Sequence, residues 1–245
     1  MSISVCMATY NGERYVSEQI QSILTQLGPN DELLISDDLS TDSTLKKVRI
    51  FERDARVRLI GSSRAGGVVR NFERVLSFAT GDIIILSDQD DVWLPGKIEI
   101  VKQSLQCADL VMLNGFVVDA QLKESGQYIS DVVRPRVGLV RNLYKNSYVG
   151  CCMAFRSNLL KYVMPFPSNV VWHDWLIALA GEGKFRCVRS PEPSILYRRH
   201  GGNHSPTGEA GRTISFGVIA MRAKMVLALS TVVLRGFWRR FRGVL

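Results

Sequence analysis

Apolar residues in the first ninety positions come in short blocks separated by polar, turn-forming stretches. Ile3 to Ala8 is a β-branched run ending on Thr-Tyr-Asn-Gly, which predicts a strand leading into a loop. From Glu13 to Leu27 the period changes, with Tyr15, Ile20, Ile23, Leu24 and Leu27 at roughly helical spacing. Glu32 to Ser36 predicts a second strand, closed by DDLSTDST. There Ser40 or Thr41 is placed to cap a helix running to about Arg53. Arg56 to Ile60 predicts a third strand, and Gly66-Gly67 introduces a helix from about Val68 to Ala79. GDIIILS then predicts a fourth strand, apolar enough to be buried on both faces.

This alternation implies an α/β fold with a parallel sheet and helices on both faces. Ligands of such sheets bind beyond the carboxyl ends of the strands. Three of those ends carry polar groups, namely Thr9-Tyr10-Asn11, Asp37-Asp38 and the cluster Asp88 to Asp91, and the pattern sends all three to one crevice. The second half is less regular. Leu110 to Val118 and Tyr148 to Phe155 predict strands, and Val170 to Ala180 a helix. Phe185 to Val188 and Ser194 to Tyr197 predict two short strands, followed by the polar loop YRRHGGNHS.

Composition adds a size and a charge distribution. With 245 residues, 46% hydrophobic, the chain can bury a large core, and neither a repeat nor a linker divides it. Its net charge of +8 is carried by the tail, since seven of 31 basic residues and no acid follow Glu209. The remaining 24 basic residues nearly balance 23 acids, which argues against a nucleic-acid-binding body and for a tail that meets an anionic surface. The five cysteines are odd in number, lack CxxC spacing and sit mostly in apolar stretches, which reads as reduced thiols in a cytosolic compartment. MSISVCMATYNG lacks the basic and apolar regions of a signal peptide and reads as a buried strand.

Asp88, Asp90 and Asp91 follow the buried fourth strand within four positions, so their mutual repulsion needs an explanation. A solvated loop of capping residues is one reading. A calcium loop is a second, but the EF-hand pattern of alternating ligands with Gly and Glu at fixed places is missing. The third is a divalent cation bridging a diphosphate, for which an Asp-x-Asp suffices because phosphate oxygens and water complete the coordination sphere.

SVCMATYNGERYVSEQIQSILTQ, LLISDDLSTDST, GDIIILSDQDDVWLPGKIE and HDWLIALAG, in this order, resemble the successive signatures of family 2 glycosyltransferases with the GT-A fold. The resemblance spans roughly residues 1 to 205, and TYNGERY and SDQDDVW are similar to bacterial enzymes of O-antigen and other surface polysaccharides, many of them rhamnosyltransferases. It implies an inverting, metal-dependent transfer of rhamnose or a hexose from a nucleotide-diphosphate sugar, dTDP-rhamnose or a UDP-hexose, to a polyprenyl-diphosphate-linked glycan. By position, it implies that Thr9, Tyr10 and Asn11 pack on the nucleotide base and that Asp38 hydrogen-bonds it, with Asp37 structural. Asp90 is then the direct ligand of Mn2+ or Mg2+, and Asp88 contacts the ribose or the metal through water. Gln89 belongs to the same donor-binding motif, and Asp91 and Lys97 shape the sugar pocket. Arg70 and Asn71 lie near the donor, and Arg198, His200 and Asn203 close over the diphosphate, with His200 in reach of the metal. Asp174 corresponds to the catalytic base, and a helix N-cap is its structural alternative. Trp172 and Trp175 beside it are either core residues or sugar-stacking platforms, with Trp175 on the core side.

Ile214 to Leu245, drawn as one helix, places Val226, Leu227, Val233, Leu234, Phe237, Trp238, Phe241, Val244 and Leu245 on one arc and Arg222, Lys224, Arg235, Arg239, Arg240 and Arg242 on the other. Because Arg222 and Lys224 interrupt the apolar run, the pattern predicts a helix in the membrane interface rather than a span. Docking on the body or on a partner is the alternative. The expected organisation is a GT-A domain over residues 1–211 and a basic amphipathic tail over 212–245, peripheral on the inner face of the cell membrane. Two rival functions differ in their demands. A nucleotidyltransferase calls for a Gly-rich loop with Arg and Lys after the first strand, which Thr9-Tyr10-Asn11-Gly12 does not offer. A non-catalytic, membrane-associated sugar-nucleotide-binding module needs no base.

Overall fold

The structure of the protein is a computed structural model describing residues 1–201 and 216–242, the last four as backbone only. Asn203, the 211/212 boundary and the side chains of Arg239, Arg240, Phe241, Arg242, Val244 and Leu245 lie outside the described residues. Strands β1 (Ile3–Thr9), β2 (Glu32–Asp37), β3 (Val57–Ser62) and β4 (Ile83–Ser87) pair in parallel in the order β3-β2-β1-β4. Helices α1 (Val16–Leu24), α2 (Thr44–Phe51) and α3 (Val68–Leu76) make the crossovers. Every residue of β1 and β4 is buried, as expected of central strands covered on both faces.

The sheet then becomes mixed. After β5 (Val92–Trp93) and α4 (Lys97–Ser104) come β6 (Leu110–Val118), β7 (Glu124–Tyr128), α5 (Ile129–Val133) and α6 (Leu139–Tyr144). A 3-10 turn at Gly150–Cys152 leads into β8 (Met153–Arg156), α7 (Ser157–Val163), α8 (His173–Lys184) and β9 (Cys187–Arg198). β8 runs antiparallel between β4 and β6, β9 is parallel to β6, and β5 closes the edge against β9. The result is one α/β body with helices on both faces, its strand ends β1, β2 and β4 opening on one side.

Four local expectations are corrected. The two short strands at Phe185–Val188 and Ser194–Tyr197 are one strand, β9, because register shifts opposite Asn114 accommodate Pro191 and Pro193, which have no N–H to pair. Tyr148–Phe155 is a strand only from Met153, since the 3-10 turn comes first. α8 starts at His173 rather than Val170, with Trp172 as N-cap, so Asp174 is not the cap. Neither Ser40 nor Thr41 caps α2. Ser43 holds the N-cap position without a side-chain bond, and the Ser40 hydroxyl donates to Asp37.

The final helix, α9 (Phe216–Arg242), docks on α6, α7 and α8. Met225, Ala228 and Val232 are fully buried in that seam, with Met221 and Leu229 beside them, an i, i+4, i+7, i+8, i+11 stripe. The sequence arc of Val226, Leu227, Val233, Leu234, Phe237 and Trp238 is exposed on the opposite side. Thus the tail is apolar on two faces, and the face drawn as basic contains the seam. At Gly236 a Cβ would come within 2.5 Å of the Tyr162 ring, so its lack of a side chain permits this approach of α9 to α7.

Candidate active site

A cavity of 1690 Å³ opens at the carboxyl ends of β1, β2 and β4. Its lining includes Thr9, Tyr10, Asn11, Asp38, Asn71, Asp88, Gln89, Asp90, Asp174 and His200, residues scattered over the whole sequence. Four other expected donor contacts, Arg70, Asp91, Lys97 and Arg198, are not among its lining residues.

The loops after β1 and β2 are stapled together. Thr9 Oγ1 donates to Asp37 Oδ2 at 2.8 Å, and Asn11, in the left-handed region at φ 48°, donates its N–H to Ser40 Oγ and accepts from Thr41 N–H. Asp37 is fully buried and holds Ser40 through its N–H and hydroxyl, a structural role. Asp38 faces the cavity, and its carboxylate accepts the backbone N–H groups of Ala65, Gly66 and Gly67. Gly66 and Gly67 have φ of 95° and 101°, a conformation only glycine adopts without strain, and this aims consecutive amides at one carboxylate. Burial alone would raise the Asp38 pKa, but these three donors and the Arg74 charge hold it below the ordinary value.

Gln89 clamps the first loop to the aspartate motif, its side chain accepting from Tyr10 N–H and donating to Tyr10 C=O, both at 2.9 Å. Asn71 is buried beneath the cavity floor, donating to Thr9 C=O and accepting from Ser36 Oγ. Arg70 turns away to Glu73 and the Pro167 carbonyl. Instead Arg74, one turn on, braces the β2 end, reaching Ser36 Oγ, Asp37 C=O and Asn71 Oδ1. Its signal in the sequence was its helical spacing from Arg70 and Asn71.

The three clustered acids separate by environment. Asp88 and Asp90 line the cavity, whereas Asp91 is 1% exposed and accepts from Arg198 N–H at 3.0 Å. Burial, then the neighbouring Asp90 and Asp174 charges, push Asp88 up to about 7. Burial likewise raises Asp91, reinforced by Asp90 and Asp88. Lys97 is fully buried behind the motif, its Nζ donating to Cys151 C=O at 3.1 Å and lying over the Trp93 ring, and does not face the cavity. It is the internal counter-charge of Asp91 and Asp88. Arg198 is also inward: 2% exposed, paired with Glu18, stacked on Tyr15 and bonded to the Asp90 and Ala120 carbonyls. It supports the motif from below. His200 Nε2 lies 2.9 Å from Asp90 Oδ2.

Asp174 sits in the first turn of α8 and faces the same cavity. Burial raises it to about 6, against the lowering effect of N–H donors from Trp175, Gly150 and its own backbone. A carboxylate poised near neutrality suits proton abstraction. Trp175 is core, its indole N–H donating to Asn142 C=O, while Trp172 lines the cavity. His173, unassigned from sequence, stacks on Phe72 with ring centroids 3.9 Å apart, and neither ring nitrogen has a hydrogen-bond partner. Burial lowers it to about 3, so it is neutral.

Two groupings have the composition of a cation site. Donor atoms of Asp88, Asp91 and Cys151 lie within 4.8 Å of one another. That trio already has Lys97 as its cation and holds a thiol whose pKa the Cys152 bond, then burial, raise well above the ordinary value, a poor match for Mg2+ or Mn2+. Asp88, Asp90 and His200 offer oxygen and imidazole donors on the cavity side, where two crowded carboxylates favour a divalent ion.

Residues 4–163 match the glycosyl transferase family 2 profile. The chain is 29% identical over 179 residues to the Escherichia coli UDP-Glc:alpha-D-GlcNAc-diphosphoundecaprenol beta-1,3-glucosyltransferase WfgD, covering 72% of this chain and 69% of that one. It is also 29% identical over 226 residues to the Shigella flexneri dTDP-rhamnosyl transferase RfbG, covering 86% and 75%. Among solved structures, S. aureus TarS 1-349 in complex with UDP-GlcNAc superposes with a TM-score of 0.69 at 21% identity, covering 93% of this chain and 67% of TarS 1-349. The Pyrobaculum calidifontis mannosyltransferase PcManGT, in complex with GDP-Man and Mn2+, gives 0.59 at 19% identity, covering 96% and 64%. Sequence match, sheet order and the position of the cavity agree: the chain belongs to glycosyl transferase family 2.

Proposed function

We propose that the protein is an inverting glycosyltransferase that moves rhamnose or a hexose from dTDP-rhamnose or a UDP-hexose to a polyprenyl-diphosphate-linked glycan in O-antigen-type polysaccharide synthesis. The observation that carries this reading is the joint exposure of Asp88, Asp90 and Asp174 to one cavity. The Thr9–Asn11 loop and Asp38 bind the nucleotide, Asp38 acting together with the glycine turn that it orders. Asp88, Asp90 and His200 hold Mn2+ or Mg2+, which when bound neutralises the diphosphate leaving group. Asp174 takes the proton of the acceptor hydroxyl as that oxygen attacks the anomeric carbon opposite the diphosphate, giving inversion. Asp91, Lys97 and Arg198 keep the acidic loop in place from behind.

The exposed arc of α9 supports a peripheral location on the cytoplasmic face of the membrane. Phe216–Trp238 is long and apolar enough to cross a bilayer. A spanning helix, however, would draw α6, α7 and α8 into the hydrocarbon with it, whereas an interfacial helix exposes only its outer arc.

A donor screen decides the function. Purified protein with Mn2+ or Mg2+ and a lipid-linked acceptor is expected to release nucleoside diphosphate from one donor. Asp174→Asn is expected to lower transfer by roughly 10²–10⁴-fold while retaining nucleotide binding. Full function in that variant would favour the sugar-nucleotide-binding module instead.

A further inference from the structure

The cavity is larger than a donor alone requires, since single-ligand pockets run to roughly 300–1,000 Å³ and this one holds 1690 Å³. Its walls differ in origin. The sheet side carries Asp38, Asp88 and Asp90, while the side around Asp174 is built by α6, the 3-10 turn, α8 and the first turns of α9. The lysine and arginine that line this second wall are Lys145 and Arg222. Arg222 sits over the Tyr144 ring, its guanidinium carbon 4.3 Å from the centroid. Among the described residues neither cation has a carboxylate partner. Within two helical turns of these cations along the chain, Val140 on α6 and Phe216 and Ile219 on α9 are 78%, 93% and 53% exposed. An anion site bordered by bare apolar surface, on the wall that holds the base, matches a ligand with a charged head and a hydrocarbon chain.

We propose that Arg222 and Lys145 bind the diphosphate of the prenyl-linked acceptor, with Tyr144 orienting the guanidinium and Val140, Phe216 and Ile219 receiving the first prenyl units. This rests on the glycosyltransferase reading above and names its acceptor subsite. It makes α9 part of substrate recognition as well as a membrane contact. A diphosphate held there leaves the attached sugar between it and Asp174.

The test is calorimetric titration of the full chain with geranyl diphosphate, inorganic diphosphate and geraniol, with Mg2+ and saturating UDP or dTDP occupying the donor side. Geranyl diphosphate should bind most tightly. Arg222→Ala should weaken it about tenfold, as expected for a lost charge-assisted contact, with nucleotide affinity and melting temperature unchanged. Lys145→Ala, at an exposed position, should weaken it in the same direction. Wild-type affinity for geranyl diphosphate in both variants would overturn the assignment. So would an equal loss of nucleotide affinity, or inorganic diphosphate binding as tightly as the prenyl form. A chain that binds neither UDP nor dTDP would remove the donor reading, whereas an Arg222-dependent affinity for geranyl diphosphate measured alone would still support the subsite.

Discussion

Asp174 carries the most specific consequences at the scale of single residues. Burial raises its carboxyl to about 6, so the base proposed above would be lost on acidification. Transfer should therefore fall as pH drops through about 6, in a profile of initial rate against pH. Asp174→Asn should lower the rate by roughly 10²–10⁴-fold. The same group has a stability signature of opposite sense. The folded chain binds its proton more tightly than the unfolded chain, so this group's contribution falls as pH rises from the unfolded value of 3.8 to about 6. Asp174→Asn should accordingly raise the melting temperature at pH 7.5, by an amount equivalent to about 1–2 kcal/mol once screening in the open cavity is allowed for. Unchanged stability would mean that the carboxylate is as well solvated in the cavity as in the unfolded chain. Much of the site was legible at this scale, because Asp38, Asp88, Asp90 and Asp174 each follow a strand end or open a helix at a recognisable place. Side-chain direction was not. Asp91 and Lys97 adjoin the motif in sequence, yet the chain turns both into the body. Arg70 was singled out, although the helix turns it to Glu73 and aims Arg74 at the strand end.

At the scale of elements, strong periodicity was read well and mixed periodicity was not. The β1 and β4 runs are apolar at nearly every position and identify themselves as doubly covered strands. β9 was divided in two because Pro191 and Pro193 interrupt its pattern, a defect absorbed by irregular register with β6, which local sequence does not encode. α9 was read as having one apolar face because three of the five residues of its buried stripe are methionine and alanine, weak signals beside Leu, Phe and Trp. The stripe makes a measurable demand. Met225→Asp places a carboxylate in a fully buried seam, costing on the order of 2–4 kcal/mol of α9 docking. Gly236→Val forces a side chain against Tyr162. Both should raise amide hydrogen exchange in α9 while leaving β1 and β4 protected. Uniform protection in either variant would show that the seam is not what holds the helix.

For the whole molecule, the outward arc of α9 sets the expected orientation. Flotation with vesicles containing anionic lipid should recover the full chain, less so at high salt as exposed basic groups are screened. The double variant Leu234→Glu, Trp238→Glu lies on the exposed arc, so it should abolish flotation without lowering the melting temperature. Retained flotation would move the membrane contact elsewhere on the surface.

The placement of Val218, Met221 and Arg222 in the cavity wall, on a helix whose other side is bare, also bears on how substrate arrives. With that side resting on a bilayer, the cavity wall lies one helix diameter, about 10 Å, from the lipid surface. The encounter with acceptor then becomes a two-dimensional search. Turnover should follow the mole fraction of acceptor in the bilayer rather than its bulk concentration, so added inert phospholipid slows the enzyme by dilution within the surface.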